Sequence, residues 1–530
     1  MRTESDYVVV GSGSAGSIVA RRLAETGASV TLVEAGAVDK TWLVRRPGII
    51  GPLYASPRLH RGLDWGHYST PQHHAAGRVF PQLHGKVLGG SSSINAMAFV
   101  RGNPRNFDMW AREGNAGWSY SDVLPSFKRL ESFEDGGSEL RGGDGPIEVT
   151  RWRNPHAPAV LFSEALTGSI GLKPNPDYNG AVQEGVSPTQ QNCSAGRRSS
   201  TATGYLREHL GTLRILTGAP VSRVVFEHGR AVGVELATGS DRSVVRAHRE
   251  VVLCAGAFGS PHLLMLSGIG PADHLRATGI DVTADLPVGT NLHDHALVPV
   301  TMTLPSVRAA ELPAYFDPAF IRNAVRGRAR WLRQSLFEMV AFARTAYAGS
   351  VPDLQMQMIS WGYDGYATSG APPASVPVLT VLVKTLYPRS RGTVRIRSNS
   401  VADGPIIDPN YLSEHHDVDV LTAGIEMVRE AARTSPFASE LGAEISPGPS
   451  VINRGDLAQH IRQHITTVNH PVGTCRMSTD ERAVVDPQLR VLGVDGLRVA
   501  DASIMPEIVG GNTNAATMMI GERAAELITS

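Results

Sequence analysis

At 530 residues the chain is too long for one ordinary hydrophobic core. A prior of roughly 150 residues per domain points to about three or four units, or to two large interleaved ones. Hydrophobic residues make up 42%, charged residues 19% and aromatic residues 6%, an ordinary globular composition that argues against long disordered stretches. Lys plus Arg and Asp plus Glu both total 50. No net field draws in phosphate backbones or anionic lipid, and nucleic acid is not an expected partner.

The three cysteines, Cys193, Cys254 and Cys475, show no CxxC or Cys/His ligand spacing, which speaks against a disulfide framework and against a structural metal. A reducing compartment fits them. From Met1 the chain passes through acidic residues directly into a strand pattern, and no run of about 18 apolar residues follows. The expectation is a cytoplasmic protein without a membrane span.

In chain order, the apolar run Asp6 to Val10 stops at a glycine turn, and Ser17 to Glu25 then carries Ile18, Ala20 and Leu23 at helical spacing. Gly27 ends that helix, and Ser29 to Val33 reads as a second buried strand leading into Glu34, Ala35 and Gly36. The α/β character returns at Arg249 to Cys254, followed by a glycine turn and a helix from His262 to Ser267. The segments from about 155 to 208 and from about 298 to 466 lack such glycine turns and alternate like strands, as in Gly392 to Ser398. They read as a separate, substrate-side domain. The basic stretch Arg322 to Arg333 reads as an amphipathic surface helix with solvated arginines.

Gly11-x-Gly13-x-x-Gly16 has the spacing of a dinucleotide fingerprint. The first glycine permits the turn, the second lets backbone approach a pyrophosphate, and the third lets helix and strand pack closely. The helix amino terminus then supplies N–H groups and a positive dipole end to the phosphates. Ser12, Ser14 and Ala15 complete the turn. Glu34 stands 18 positions beyond the last glycine, where a carboxylate accepts hydrogen bonds from ribose hydroxyls. That acid disfavours a 2′-phosphate, so NADP is unexpected; FAD and NAD both satisfy the pattern.

The choice between them comes from two further segments, GKVLGGSSSINAMAF (85–99) and GAFGSPHLLMLSGIG (256–270). They closely resemble the two signatures of glucose-methanol-choline (GMC) oxidoreductases. VGTNLHDH (288–295), SRGTV (390–394), IDP (407–409), HPVGTCRM (470–477) and VADASIMP (499–506) follow in the family's order. The closing segments look most like those of choline oxidase and choline dehydrogenase.

The resemblance implies an α/β fold in which a Rossmann-like FAD-binding domain (1–154, 209–297 and 467–530) meets an α+β substrate-binding domain (155–208 and 298–466). The antiparallel sheet of the second domain would roof the flavin. It also implies FAD contacts from Gly85, Val87, Gly89, Gly90, Ser91, Asn95, Ala96 and Met97, where small residues let backbone N–H groups reach polar flavin atoms. Val221 matches the position that contacts adenine. Ala35, Ala255, Gly256, Asp501, Ala502, Asn512, Thr513 and Asn514 complete the expected cofactor site. Some relatives tether the flavin through a histidine two places before the position of Ala96. Ile94 stands there, so FAD is expected to bind non-covalently.

By the same resemblance His470 is the base and Asn512 the second hydrogen-bonding partner of a substrate hydroxyl. An imidazole titrates near working pH, whereas an amide orients but cannot take the proton. Thr513 and Asn514 begin the last helix, whose amino terminus would stabilise negative charge on the flavin; a plain capping role for Asn514 is the bland alternative.

Matched against a choline cage, Trp65 and Phe337 supply aromatic faces, but Leu297 stands where the carboxylate belongs and Asn469 where an aromatic belongs. Choline is therefore expected to be a poor substrate. The expected partner is another small primary alcohol: an aliphatic or aryl carbinol, a polyol, or a sugar or amino-sugar hydroxymethyl. Oxygen or another acceptor would reoxidise the flavin. A cyanohydrin lyase and a flavin-binding protein without turnover are the rival readings. Glu338, Gln357 and Trp361 are candidates for the roof over the flavin.

Overall fold

The computed structural model describes residues 4–39, 42–50, 60–208, 210–237, 243–306, 330–360 and 377–530. Two seven-stranded sheets organise it. In the first, Leu213–Leu216, Val30–Val33, Glu4–Val10 and Val244–Leu253 run parallel in that order, and Leu497–Val499 joins the carboxyl half of Val244–Leu253. The amino half of the same long strand turns the sheet antiparallel through Arg230–Leu236 and Val221–Glu227. Valine-rich strands suit this sheet because its middle is covered on both sides; Val8, Val9, Val251 and Val252 are fully buried.

The strand, turn and helix expected at the amino end are present as Glu4–Val10 and Gly16–Glu25, with Val30–Val33 beside them. The helix expected from His262 instead begins six residues earlier, as Gly256–Leu266, and runs through Pro261. Proline leaves the carbonyl four residues before it without its helical donor. Here that carbonyl, on Ala257, accepts a 2.6 Å hydrogen bond from Thr474 Oγ1. A tertiary contact thus replaces the missing bond and lets the helix continue.

The second sheet is antiparallel: Glu444–Ser446, Ala296–Thr303, Val378–Thr385, Leu354–Ile359, Met339–Ala343 and Gly185–Pro188, with Thr466–Thr467 also on Ala296–Thr303. Alternation sorts its side chains. Val298, Val300, Val381, Val383, Met356 and Met358 share an apolar core with the helices Ala157–Ile170 and His415–Ala432. Leu297, Leu382, Lys384, Gln355 and Gln357 take the opposite face. That face is also covered, so Val378–Thr385 is buried at every position.

The short pair Thr393–Arg395 and Ile406–Asp408 departs from expectation. Val394, Ile396 and Ile407 pack into the core of the first sheet, not the second. The alternation in Gly392 to Ser398 is real, but its apolar face serves the first sheet. Of the basic stretch Arg322 to Arg333, only the single 3₁₀ turn Arg330–Arg333 belongs to the described residues. Among those residues no helix is long and apolar enough to cross a membrane.

Thr474→Val removes the donor to the Ala257 carbonyl without changing side-chain shape. Unfolding monitored by heat or denaturant should show a loss of about 1–3 kcal/mol, the cost of an unpaired buried carbonyl.

Candidate active site

A cavity of about 810 Å³ lies between the carboxyl ends of the parallel strands and the inner face of the second sheet, within the range of ligand sites. At one end, Gly11 (φ +94°) turns the chain where an added Cβ would stand 2.5 Å from the Cys254 carbonyl oxygen. A Cβ at Gly13, by contrast, would meet no heavy atom within 4 Å and would project into open space. The turn is thus closed behind and open in front. Glu34 accepts from the Ser12 N–H (2.9 Å), the Ser12 hydroxyl (2.6 Å) and the Gly36 N–H (2.7 Å). Burial nonetheless pushes its carboxyl up from the usual value.

Four of the expected cofactor contacts stand behind this wall. Ser12 holds Glu34, and Gly89 N–H donates to the Ser12 hydroxyl at 3.2 Å. Gly16 seats the helix against the Gly11 carbonyl, where any Cβ would collide. Val87 is buried in a small apolar cluster. They shape the site through other residues because the chain turns their side chains, or the missing one, away from the cavity. Every other expected residue lines it, from Ser14 and Ala15 through Ala35, Gly85, Gly90, Ser91, Asn95, Ala96 and Met97 to Val221. Asp501 ties two of these segments together by accepting from the Gly256 N–H at 2.9 Å and the Ser260 hydroxyl at 2.6 Å.

Asn514 does not act as a cap. It is the first residue of the helix Asn514–Thr529, its Oδ1 accepts from the Ser14 hydroxyl at 2.7 Å, and its Nδ2 is a buried donor without a partner on the cavity wall.

At the opposite end, Asn512 Nδ2 lies 3.1 Å from His470 Nε2. The partners fix the protons. His295 Nε2 meets the Leu386 carbonyl at 2.9 Å, which can only accept, so His295 carries its proton there. Its Nδ1 is then an acceptor, and His470 Nδ1, 2.9 Å away, must donate to it. A neutral His470 is left with its lone pair on Nε2, facing Asn512. The amide is oriented in turn, because its Oδ1 accepts from Gln355 Nε2 at 3.2 Å. Burial first, then the neighbouring His295 and Lys384, hold His470 well below the ordinary imidazole value. Burial holds His295 down to about 3.

The backbone is held as well. Asn469 adopts a left-handed conformation (φ 58°), and the His470 N–H donates to Asp294 Oδ1 at 2.7 Å. Asp294 Oδ2 accepts from Tyr411 and Thr467, each at 2.5 Å. Sequence reasoning assigned no role to Asp294, His295, Gln355 or Lys384. The first two fall inside the quoted segment 288–295, so the signal was present; the last two are fixed only by strand register.

Of the roof candidates, Glu338 binds the backbone and ring of His156 and the Ser360 N–H, away from the cavity. Gln357 accepts from Lys384. Trp361 lies outside the described residues. The cage positions Trp65, Leu297, Phe337 and Asn469 do line the cavity. The Asn469 side chain accepts from the Leu83 N–H at 2.9 Å, and Lys86 Nζ sits 4.6 Å over the Trp65 ring.

Family models described as GMC oxidoreductase match residues 5–297 and 388–521. This chain is a GMC oxidoreductase. It is similar to the oxygen-dependent choline dehydrogenases of Brucella suis, 39% identical over 541 residues covering 99% of this chain and 95% of that protein, and of Rhizobium etli, 40% identical over 540 residues with the same coverage. Among solved structures it resembles pyridoxine 4-oxidase from Mesorbium loti (31% identity, TM-score 0.87, 98% of each chain). It also resembles a fungal aryl-alcohol oxidase (26% identity, TM-score 0.86, 100% of this chain and 99% of that one). The GMC oxidoreductase is thus an FAD-dependent alcohol oxidoreductase, and its residues fit that cofactor. The glycine turn and the amino terminus of Gly16–Glu25 suit the pyrophosphate, Glu34 the ribose, and the unpartnered Asn514 Nδ2 a polar flavin edge.

Four buried histidines, His262, His293, His295 and His460, are held below the ordinary value by burial; His262 and His460 come to about 4, His295 to about 3. In the unfolded chain each takes up a proton near pH 6.5, but in the fold it does not, so stability is lost as pH falls from about 6.5 toward 4. Asp294, raised to about 6 by burial, acts with the opposite sign and offsets part of this. The thermal midpoint should therefore be lower at about pH 5 than at about pH 7.5, measured by calorimetry on the flavin-loaded protein.

Proposed function

We propose that this oxidoreductase converts a primary alcohol to the aldehyde, with His470 as the base and Asn512 as the second partner of the substrate hydroxyl. The observation that carries the reading is the convergence of His470 Nε2 and Asn512 Nδ2, 3.1 Å apart, on the cavity wall. A hydroxyl that replaces their direct hydrogen bond donates to the lone pair of Nε2 and accepts from the amide. As the carbinol hydride leaves, the proton passes to His470. His295 keeps the receiving nitrogen free, because its own Nε2–H is committed to Leu386. The bound flavin supplies the hydride acceptor. Thr513 and Asn514, at the start of Asn514–Thr529, line the wall, where the helix amino terminus would favour negative charge on a bound isoalloxazine.

We infer that FAD is held without a covalent bond at the usual tether position, since Ile94 lines the wall there and has no nucleophilic atom. The division into 1–154, 209–297 and 467–530 against 155–208 and 298–466 is supported by the strand membership of the two sheets, apart from the pair near 393–408. A reducing, cytoplasmic setting is supported by three buried, unpaired cysteines.

Choline is proposed to be a poor substrate although relatives carry that name. The carboxylate a trimethylammonium needs is absent at Leu297, which is 3% exposed and apolar. An aryl or aliphatic carbinol suits the neighbouring Leu336, Phe337 and Leu382 better.

The test is anaerobic mixing of flavin-loaded protein with benzyl alcohol, aliphatic alcohols and choline. Loss of the oxidised flavin absorbance is expected with at least one non-choline alcohol, and His470→Ala should slow it by about 10²–10⁴-fold. No bleaching with any alcohol, together with cyanide release from a cyanohydrin, would favour a lyase.

A further inference from the structure

Lys384 sits on the cavity-facing side of Val378–Thr385 and is only 1% exposed. Directly opposite it across the two flanking strands are Leu297 and Gln355, whose side chains share its face. Its Nζ donates to Gln357 Oε1 and stands 5.2 Å from the centre of the Phe337 ring. Among the described residues no carboxylate pairs with it.

A buried ammonium without a counter-charge is costly, and this one is placed where the cavity passes Leu297. Gln357, which does not line the cavity, offers the ammonium one hydrogen bond and no charge. A buried cation on the cavity wall with a neutral amide as its partner calls for an opposite charge that the protein does not itself provide. The sign of the charge is opposite to what a quaternary ammonium substrate requires.

We propose that Lys384 determines specificity by binding a carboxylate on the substrate, so that the preferred alcohol carries its carbinol at one end of an apolar body and an anion at the other. The inference rests on the alcohol-oxidising role given to His470 and Asn512, which sit at the same end of the cavity. Lys384 is near enough to both imidazoles to depress them. Burial also lowers the ammonium to about 7, and a bound carboxylate would draw its proton affinity back up.

The experiment compares para-(hydroxymethyl)benzoate with para-methylbenzyl alcohol, which differ mainly in the remote charge. In the unaltered enzyme the carboxylate substrate should have a KM lower by about tenfold or more, the scale of one charge-assisted hydrogen bond. Terephthalate, which cannot react, should bind by calorimetry. In Lys384→Met the preference ratio should fall to about one and terephthalate binding should be lost, while Lys384→Arg should retain a preference.

Equal KM values for the two alcohols in the unaltered enzyme would overturn the proposal without recourse to any variant. So would a Lys384→Met enzyme that loses activity on both yet keeps the same ratio, which would mark Lys384 as a support for Gln357. If the neutral alcohol fails to bleach the flavin as well, the alcohol-oxidising reading fails. If the neutral alcohol bleaches it and the carboxylate shows no preference, only the present inference does.

Discussion

Two imidazoles joined through their Nδ1 atoms lie at the centre of a directed hydrogen-bond chain at the His470 end of the cavity. Because the Leu386 carbonyl can only accept, His295 must donate to it, and the remaining protons along His470, Asn512 and Gln355 follow in order. A chain of this kind gains from low local dielectric and is costly to leave half-made. Its members come from five different parts of the fold: the edge of Ala296–Thr303, the loop before Pro471, the turn before the last helix, the strand Leu354–Ile359 and the end of Val378–Thr385. The backbone bond from His470 to Asp294, itself braced by Tyr411 and Thr467, keeps the second of these in register with the first.

The two sheets make that convergence possible by dividing the labour. Parallel strands end at the cavity and present turns, which suit a phosphate-bearing cofactor that must meet backbone. The antiparallel sheet presents side chains instead, with one face sealed by helices and the other left to hold Gln355, Gln357 and Lys384 in a setting from which water is largely excluded. Burial there leaves the Lys384 ammonium little water to screen its charge.

Much of the nucleotide half was legible in the chain. Gly11 and Gly16 stand where sterics demand them, since a Cβ at either would strike backbone, whereas Gly13 leaves the front of the turn open. The acid at Glu34 followed from the same spacing. His470 and Asn512 were legible only through the family resemblance, not from their local surroundings. What was not legible depends on register between distant strands. Nothing near Lys384 in the chain says that it faces Leu297, because that pairing arises from residues 87 positions apart in sequence. Helix Gly256–Leu266 was read short for a similar reason: the donor that excuses Pro261 comes from Thr474, far along the chain. Asn514, with a cap-like side chain, was drawn away by Ser14.

That last contact joins residues 500 positions apart. The first helix and the last are further bound by Arg22 and Glu522, and Gly521 approaches the Ala15 carbonyl so closely that no side chain would fit. Chains are made from the amino end and fold as their segments emerge. The glycine turn is therefore made about 500 residues before the Asn514 wall that closes on it. A polypeptide that stopped short of Asn514 would leave the turn without that wall, and Gly16–Glu25 without the helix against which it packs.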